Sequence, residues 1–218
     1  MRRREIVNSA KNRIGEIINQ LKKAYPQSKT ALHFKTPLQI LIATILSAQC
    51  TDEQVNKVTP ALFRKYKTAA DFAHADPDTL ENEIRSTGFF KNKTRSIISA
   101  SKKIVDDFGG RVPDRMEDLI TLHGVARKTA NIVLSSGFNK TEGIAVDTHV
   151  SRLSQRLGLS KEKNPDKIEQ DLLSLVPREE WIDFNYMLVN HGRNTCQARK
   201  PDCLTCVLND LCPSVKDF

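Results

Sequence analysis

The chain has 218 residues, 39% of them hydrophobic and 28% charged, a balance that fits a globular protein of one or two domains and excludes a disordered or low-complexity chain. Lysine and arginine outnumber aspartate and glutamate by 34 to 26, and the net charge of +8 points to a polyanionic partner, of which nucleic acid is the commonest. No apolar run has membrane-spanning length: "LQILIATILSA" is too short, and the basic start "MRRREIVNSAKNR" leads into no signal-peptide core, so a soluble intracellular protein is expected.

Helix signals follow one another along the chain and strand signals are nearly absent. Residues 4–24 space Ile6, Ala10, Ile14, Ile17, Ile18 and Leu21 along one helical face. "TPLQ" at Thr36 offers an N-cap, a first-turn proline and a glutamine for a capping box, and "TDEQ" at Thr51 repeats the box ahead of Val55, Val58 and Leu62. "DPDTLENEIRSTG" opens on Asp76 and Pro77 and closes at Gly88. Residues 93–108 align Ile97, Ile98, Ser101, Ile104, Val105 and Phe108, and Gly109 and Gly110 stop them. "PDRMEDLITLHG" is a short helix running into "LHGVARKTANIVL", where Gly124 breaks the apolar run and a helix resumes at once. After "FNKTEG" at 138–143, the best break in the second half, Val150, Leu153 and Leu157 follow Asp147 in another helix. "NPDKIEQDLLSLV" and "REEWIDFNYMLVNHG" make two more. The pattern predicts an all-α fold of roughly ten helices with short connections.

Cys196, Cys203, Cys206 and Cys212 are spaced C-x6-C-x2-C-x5-C, and Cys50 stands far away as a plain thiol. Disulfides are disfavoured inside cells, so four thiols this close read as one metal centre rather than four unrelated buried groups. Zinc sites usually present two C-x2-C pairs. One tight pair with two wider arms, and no histidine within the span, favours a [4Fe–4S] cluster. Arg199 and Lys200 lie on the arm from Cys196 to Cys203. A solvated turn is the plain reading; a basic loop pinned at both ends and aimed at phosphates is the sharper one.

The glycine turn and the helix after it form a hairpin whose exposed amides suit a phosphate, although plain αα-hairpins are common. Lys128 has Val125 and Ile132 at i−3 and i+4, which sets an ammonium among apolar neighbours near a positive helix end. Asp147 follows an apolar run and precedes a helix, the usual place of an N-cap.

"LHGVARKTANIVL", "AVDTH", "ILSAQCTD" and the four-cysteine C-terminus together resemble the endonuclease III family of the helix-hairpin-helix DNA glycosylase superfamily, over almost the whole chain. The resemblance implies two helical domains flanking a DNA-binding cleft. One is a six-helix domain, residues 31–139, that holds the hairpin; the other is a discontinuous [4Fe–4S] domain of residues 1–30 and 140–218. It also implies a base-excision glycosylase with abasic-site lyase activity. The expected substrate is oxidised pyrimidine in damaged double-stranded DNA, and the expected form is a monomer, cytoplasmic and nucleoid-associated.

By family position Lys128 is the nucleophile at C1′ and Asp147 the catalytic carboxylate. An amine attacks only when neutral, and departure of the base leaves positive charge that a carboxylate stabilises. Gln49 and Phe89 are then the residues that fill the stack when a base is flipped out, with Lys91 and Lys93 alongside for phosphates. The family's residue at the place of Phe89 is usually aliphatic. Its hairpin reads L-P-G-V-G, where this chain has His123, Gly124 and Ala126; His123 is placed to meet a phosphate, and the Ala126 methyl keeps one further from the amides. Two other readings are a monofunctional relative such as an adenine glycosylase, which lacks the lysine, and a non-catalytic DNA-binding module, which needs neither Lys128 nor Asp147.

Overall fold

The structure, a computed structural model, describes residues 2–26 and 29–218, with side chains from Ala10 onward, so Ile6 of the first predicted face lies outside the described side chains. In chain order the α-helices are α1 (Arg2–Ala24), α2 (Pro37–Leu46), α3 (Asp52–Lys65), α4 (Ala69–Ala73), α5 (Pro77–Ile84), α6 (Phe90–Phe108), α7 (Met116–Leu119), α8 (Arg127–Phe138), α9 (Thr148–Arg156), α10 (Pro165–Leu175) and α11 (Trp181–Asn194). Among the described residues there is no strand. The chain divides into two compact units, Ala31–Glu142 and the discontinuous pair Met1–Thr30 with Gly143–Phe218.

In the first unit α2 is the central element. Every residue from Ile40 to Leu46 is buried, which is why its sequence is apolar on all sides. Each fully buried leucine or isoleucine there contributes about 1.5–3 kcal/mol. The helix lies against α8, and Gly137 lets the two approach. A Cβ at Gly137 would stand 3.1 Å from Ile40 Cγ2 and 3.3 Å from Pro37 Cα. The second unit buries Ile14, Ile17, Ile18 and Leu21 of α1 in one core with Ile168, Leu172, Phe184 and Leu188 of α10 and α11.

Helix ends follow the sequence signals with three corrections. Thr36 caps α2 through the Gln39 amide at 3.3 Å, but Gln39 Oε1 accepts from Lys35 N at 2.7 Å, one residue before the cap. Thr51 caps α3 through the Gln54 amide, while Gln54 Nε2 donates to Ser86 Oγ at 2.8 Å. Neither glutamine closes a capping box, because each finds a better-placed partner outside it. A reciprocal box does form at Thr68 and Asp71, where it starts the five-residue α4 that no apolar period announces. The helix expected from residue 93 begins at Phe90. It ends as predicted, with Gly109 at φ +58° and the Gly110 amide bonded to Ile104 O at 2.9 Å.

Candidate active site and metal centre

A tight turn, Leu122–Val125, joins α7 to α8, closed by the Val125 amide on Leu122 O at 3.1 Å. Gly124 is its third residue at φ +80°, the position of a type II turn that needs positive φ. A Cβ there would lie 2.7 Å from both Cβ and Oγ of Ser96 on α6, so glycine is required by conformation and by contact. His123 takes the second position, where proline is common. Ala126 is the N-cap of α8, and no side chain caps that helix end. Lys128 therefore stands at N2. His123, Gly124, Ala126 and Lys128 are all exposed. The apolar setting expected for Lys128 is not formed: Val125 is buried and Ile132 half-buried, but α8 turns Ala130, Asn131, Val133 and Leu134 to the core and leaves the lysine in solvent.

In the other unit the buried run Ile144, Ala145 and Val146 delivers Asp147 to the start of α9. Its Oδ1 accepts from the His149 and Val150 amides, each at 2.8 Å. Both bonds fall on the same oxygen. Burial holds the His149 imidazole below its ordinary pKa, against the opposing pull of the Asp147 carboxylate. Further along α9, Arg152 donates to Gly192 O at 2.9 Å and Cys196 O at 3.0 Å. Arg156 donates to Gln197 O and Ala198 O, both at 2.8 Å. These two arginines, which no sequence motif singles out, fix the arm that presents the exposed Arg199 and Lys200.

Gln49 and Phe89 are brought onto neighbouring loops of the first unit, each at a left-handed φ, +52° and +48°. For residues other than glycine such a conformation costs on the order of 1–3 kcal/mol and persists only where the surroundings impose it. Both side chains are exposed, Phe89 by 61%. Lys91 is exposed and lines a groove with Arg95 and Lys102, two cations that carry no motif of their own. Lys93 corrects the expectation of a phosphate contact. It is 4% exposed, and its Nζ donates to Leu46 O and Thr87 O, both at 2.7 Å. It lies one turn before Ile97 on the buried stripe of α6, a spacing that was available in the sequence.

All four clustered cysteines line a single cavity walled mainly by apolar groups, Leu153, Leu157, Pro201 and Leu208 among them. Their sulfurs already receive hydrogen bonds: Arg156 Nη1 donates to Cys196 Sγ at 3.2 Å and the Leu208 amide to Cys206 Sγ at 3.4 Å. The buried His191 places Nδ1 3.0 Å from Tyr25 Oη and Nε2 3.4 Å from Cys206 Sγ. Among the described residues no three metal-binding side chains converge closely enough to share one ion. Four thiols around one apolar-walled cavity, with donors aimed at sulfur, fit a polynuclear iron–sulfur cluster.

Residues 42–178 match the model of the HhH-GPD superfamily base excision DNA repair proteins, and residues 196–212 match the iron–sulfur binding domain of endonuclease III. Endonuclease III of Synechocystis sp. is 54% identical over 208 residues, 95% of each chain, and that of Bacillus subtilis is 40% identical over 89% of each. The chain belongs to the endonuclease III family.

A solved structure of a trapped endonuclease III–DNA covalent intermediate superposes with a TM-score of 0.91 at 39% identity, covering 95% of this chain and 97% of that one. A thermostable thymine-DNA glycosylase, at 23% identity and a TM-score of 0.85, shares the fold. As a member of the endonuclease III family the chain is a base excision DNA glycosylase with abasic-site lyase activity. Its partner is DNA and its cofactor a [4Fe–4S] cluster. Among the described residues no helix is long and apolar enough to cross a membrane.

Proposed function

We propose that this enzyme removes oxidised pyrimidines from damaged duplex DNA with Lys128 as nucleophile and Asp147 as the carboxylate that supports loss of the base. The observation that carries the reading is the pair of helix starts. Lys128 is exposed at N2 of α8, directly after the hairpin turn, and Asp147 caps α9 through one oxygen only. The second oxygen takes neither of these bonds, and in this reading it faces the positive charge that develops on the sugar. A cap and a catalytic group are thus compatible in one residue.

In this reading the Lys128 amine attacks C1′ as the C1′–N bond to the base breaks and the base leaves with the electron pair. Loss of a proton from nitrogen and opening of the sugar give the imine. Removal of a C2′ proton then expels the 3′-phosphate, which nicks the strand. Asp147 stabilises the cationic sugar and takes a proton from the amine. The uncapped start of α8 receives a backbone phosphate on its amides, with His123, Gly124 and Ala126 at the approach. Gln49 and Phe89 enter the stack in place of the flipped nucleotide. Lys91, Arg199 and Lys200 grip phosphates without reading sequence. Cys196, Cys203, Cys206 and Cys212 hold the cluster, which fixes the basic arm beside it.

We place the hairpin domain at residues 31–139 and the cluster domain at 1–30 with 140–218. The protein acts as a monomer, in the cytoplasm at the nucleoid. Borohydride trapping on an abasic duplex tests the central assignment. The parent should become covalently linked to DNA and Lys128→Gln should not, while both bind the duplex. Trapping at the parent level by Lys128→Gln would remove this lysine from the mechanism.

A further inference from the structure

We infer that Lys93 is a positioning residue that locks the Gln49 loop and the Phe89 loop into one rigid probe for the DNA stack. The inference rests on the reading of those loops as the elements that enter the duplex. Leu46 is the last residue of α2, and Thr87 ends the 3-10 turn Arg85–Thr87. Carbonyls at such ends have no partner within their own helix, and they lie at its negative pole. One ammonium, with several donors on a single atom, bonds both at 2.7 Å. Gln49 follows the first carbonyl by three residues and Phe89 follows the second by two.

A fold that only had to satisfy two carbonyls has simpler means than a buried lysine, since removing a charge from water is costly. Burial indeed holds the Lys93 ammonium below the ordinary lysine pKa. What the lysine adds is a shared anchor. α3, which continues the chain from the Gln49 loop, is tied to the Phe89 segment as well, by Gln54 Nε2 on Ser86 Oγ at 2.8 Å. The backbone records the result. Among the described residues three that are not glycine have positive φ, namely Gln49, Phe89 and Asn139. Asn139 is the left-handed C-cap of α8, an ordinary place for asparagine. The other two are the exposed tips of the segments that Lys93 joins. Strain of this kind, paired and presented outward, is what preorganised insertion of two side chains requires.

The test uses the intact, cluster-loaded protein with Lys93→Met, which keeps the stem and removes the donors. Amide hydrogen exchange should speed up in both 47–51 and 86–90 while α8 is unchanged. With 2-aminopurine opposite the lesion, the fluorescence rise on mixing should slow, and single-turnover excision from duplex should fall by about a hundredfold, the scale of an ångström-level misplacement. Borohydride trapping on a single-stranded abasic oligonucleotide, which has no stack to open, should stay at the parent level. Faster exchange in one loop only, or an unchanged fluorescence rise, overturns the proposal. So does a salt slope on undamaged duplex that falls by about one, the mark of a lysine that had been gripping a phosphate. If Lys93→Met does not fold, Gln54→Ala cuts the exposed second tie, and it should slow the fluorescence rise and spare single-strand trapping; no slowing overturns the proposal. Gln49→Ala and Phe89→Ala separate the two levels. If both keep the parent fluorescence rise, the insertion reading fails and takes the probe role with it, whereas exchange still reports whether Lys93 joins the loops.

Discussion

Replacing Asp147 separates its two jobs. The side chain satisfies two amide donors of α9 with Oδ1, both at 2.8 Å, and carries a charge at the positive helix end. Asparagine keeps a cap of equal rank and loses the charge, a change of about 0.3–1 kcal/mol. Alanine loses the cap as well, which costs about 1 kcal/mol and at most about 2. For a chain of this size each kcal/mol moves the melting temperature by roughly 2–4 °C. Asp147→Ala should therefore melt a few degrees below Asp147→Asn, which should melt close to the parent. Excision should follow a different order. Loss of an electrostatic group aimed at transition-state charge costs about 10²–10³ in rate, so both variants should fall by that factor under single turnover. The imidazole next door gives an independent reading. Without the carboxylate that opposes the effect of burial, His149 should titrate lower still, measured by NMR in Asp147→Asn. Full excision by Asp147→Asn together with a destabilised Asp147→Ala would refute the catalytic role and leave a cap alone.

The metal and the basic arm give further expectations. Protein purified anaerobically should be yellow-brown and contain iron and acid-labile sulfide in near-equal amounts, and stoichiometric zinc in colourless protein would contradict the cluster. Cys203→Ala should make the segment after Ala198 sensitive to protease, while the Arg156 bonds to Gln197 O and Ala198 O keep the first part of the arm in place. Arg199→Ala with Lys200→Ala should weaken damaged and undamaged duplex equally and lower the salt slope by about one for each phosphate the arm no longer neutralises, with the cluster absorbance unchanged. Weakening confined to damaged duplex would show that the arm does not grip the backbone.

What the sequence made legible were features whose partners lie close along the chain. The caps at Thr36, Thr51, Asp76 and Asp147 each bond an amide within three residues, and the four thiols fall within one short segment. What it hid depends on distant partners. The Lys93 ammonium meets a carbonyl 47 positions away, and Arg152 reaches Cys196 across 44. In "KNK" the two lysines are indistinguishable by composition; only the phase of Lys93 with Ile97 and Ile104 tells them apart. The apolar neighbours of Lys128 misled for the opposite reason. Side chains three and four residues away are near on the helix surface, yet their apolar faces turn inward while N2 faces out.

That distinction changes what the net charge means. A phosphate backbone responds to cations whose donors are free to meet it, and the count of +8 includes several whose donors are already engaged. Lys93 is taken up by Leu46 O and Thr87 O, and Arg152 and Arg156 direct their donors to the carbonyls of residues 192–198. These three cations act as internal struts. They hold the loops that carry Gln49 and Phe89 in one unit and the arm that carries Arg199 and Lys200 in the other. Lys91, Arg95, Lys102, Lys128, Arg199 and Lys200 are exposed, and in the proposed reading they are the cations that DNA meets. An all-α protein has no sheet edge to offer a backbone, so it shapes its surface at helix termini, where unpaired amides and carbonyls are found. Lys128 and Asp147 use the amide ends and Lys93 uses the carbonyl ends. The basic composition therefore serves two separable ends, attraction of the polyanion and internal bracing of the groups that act on it.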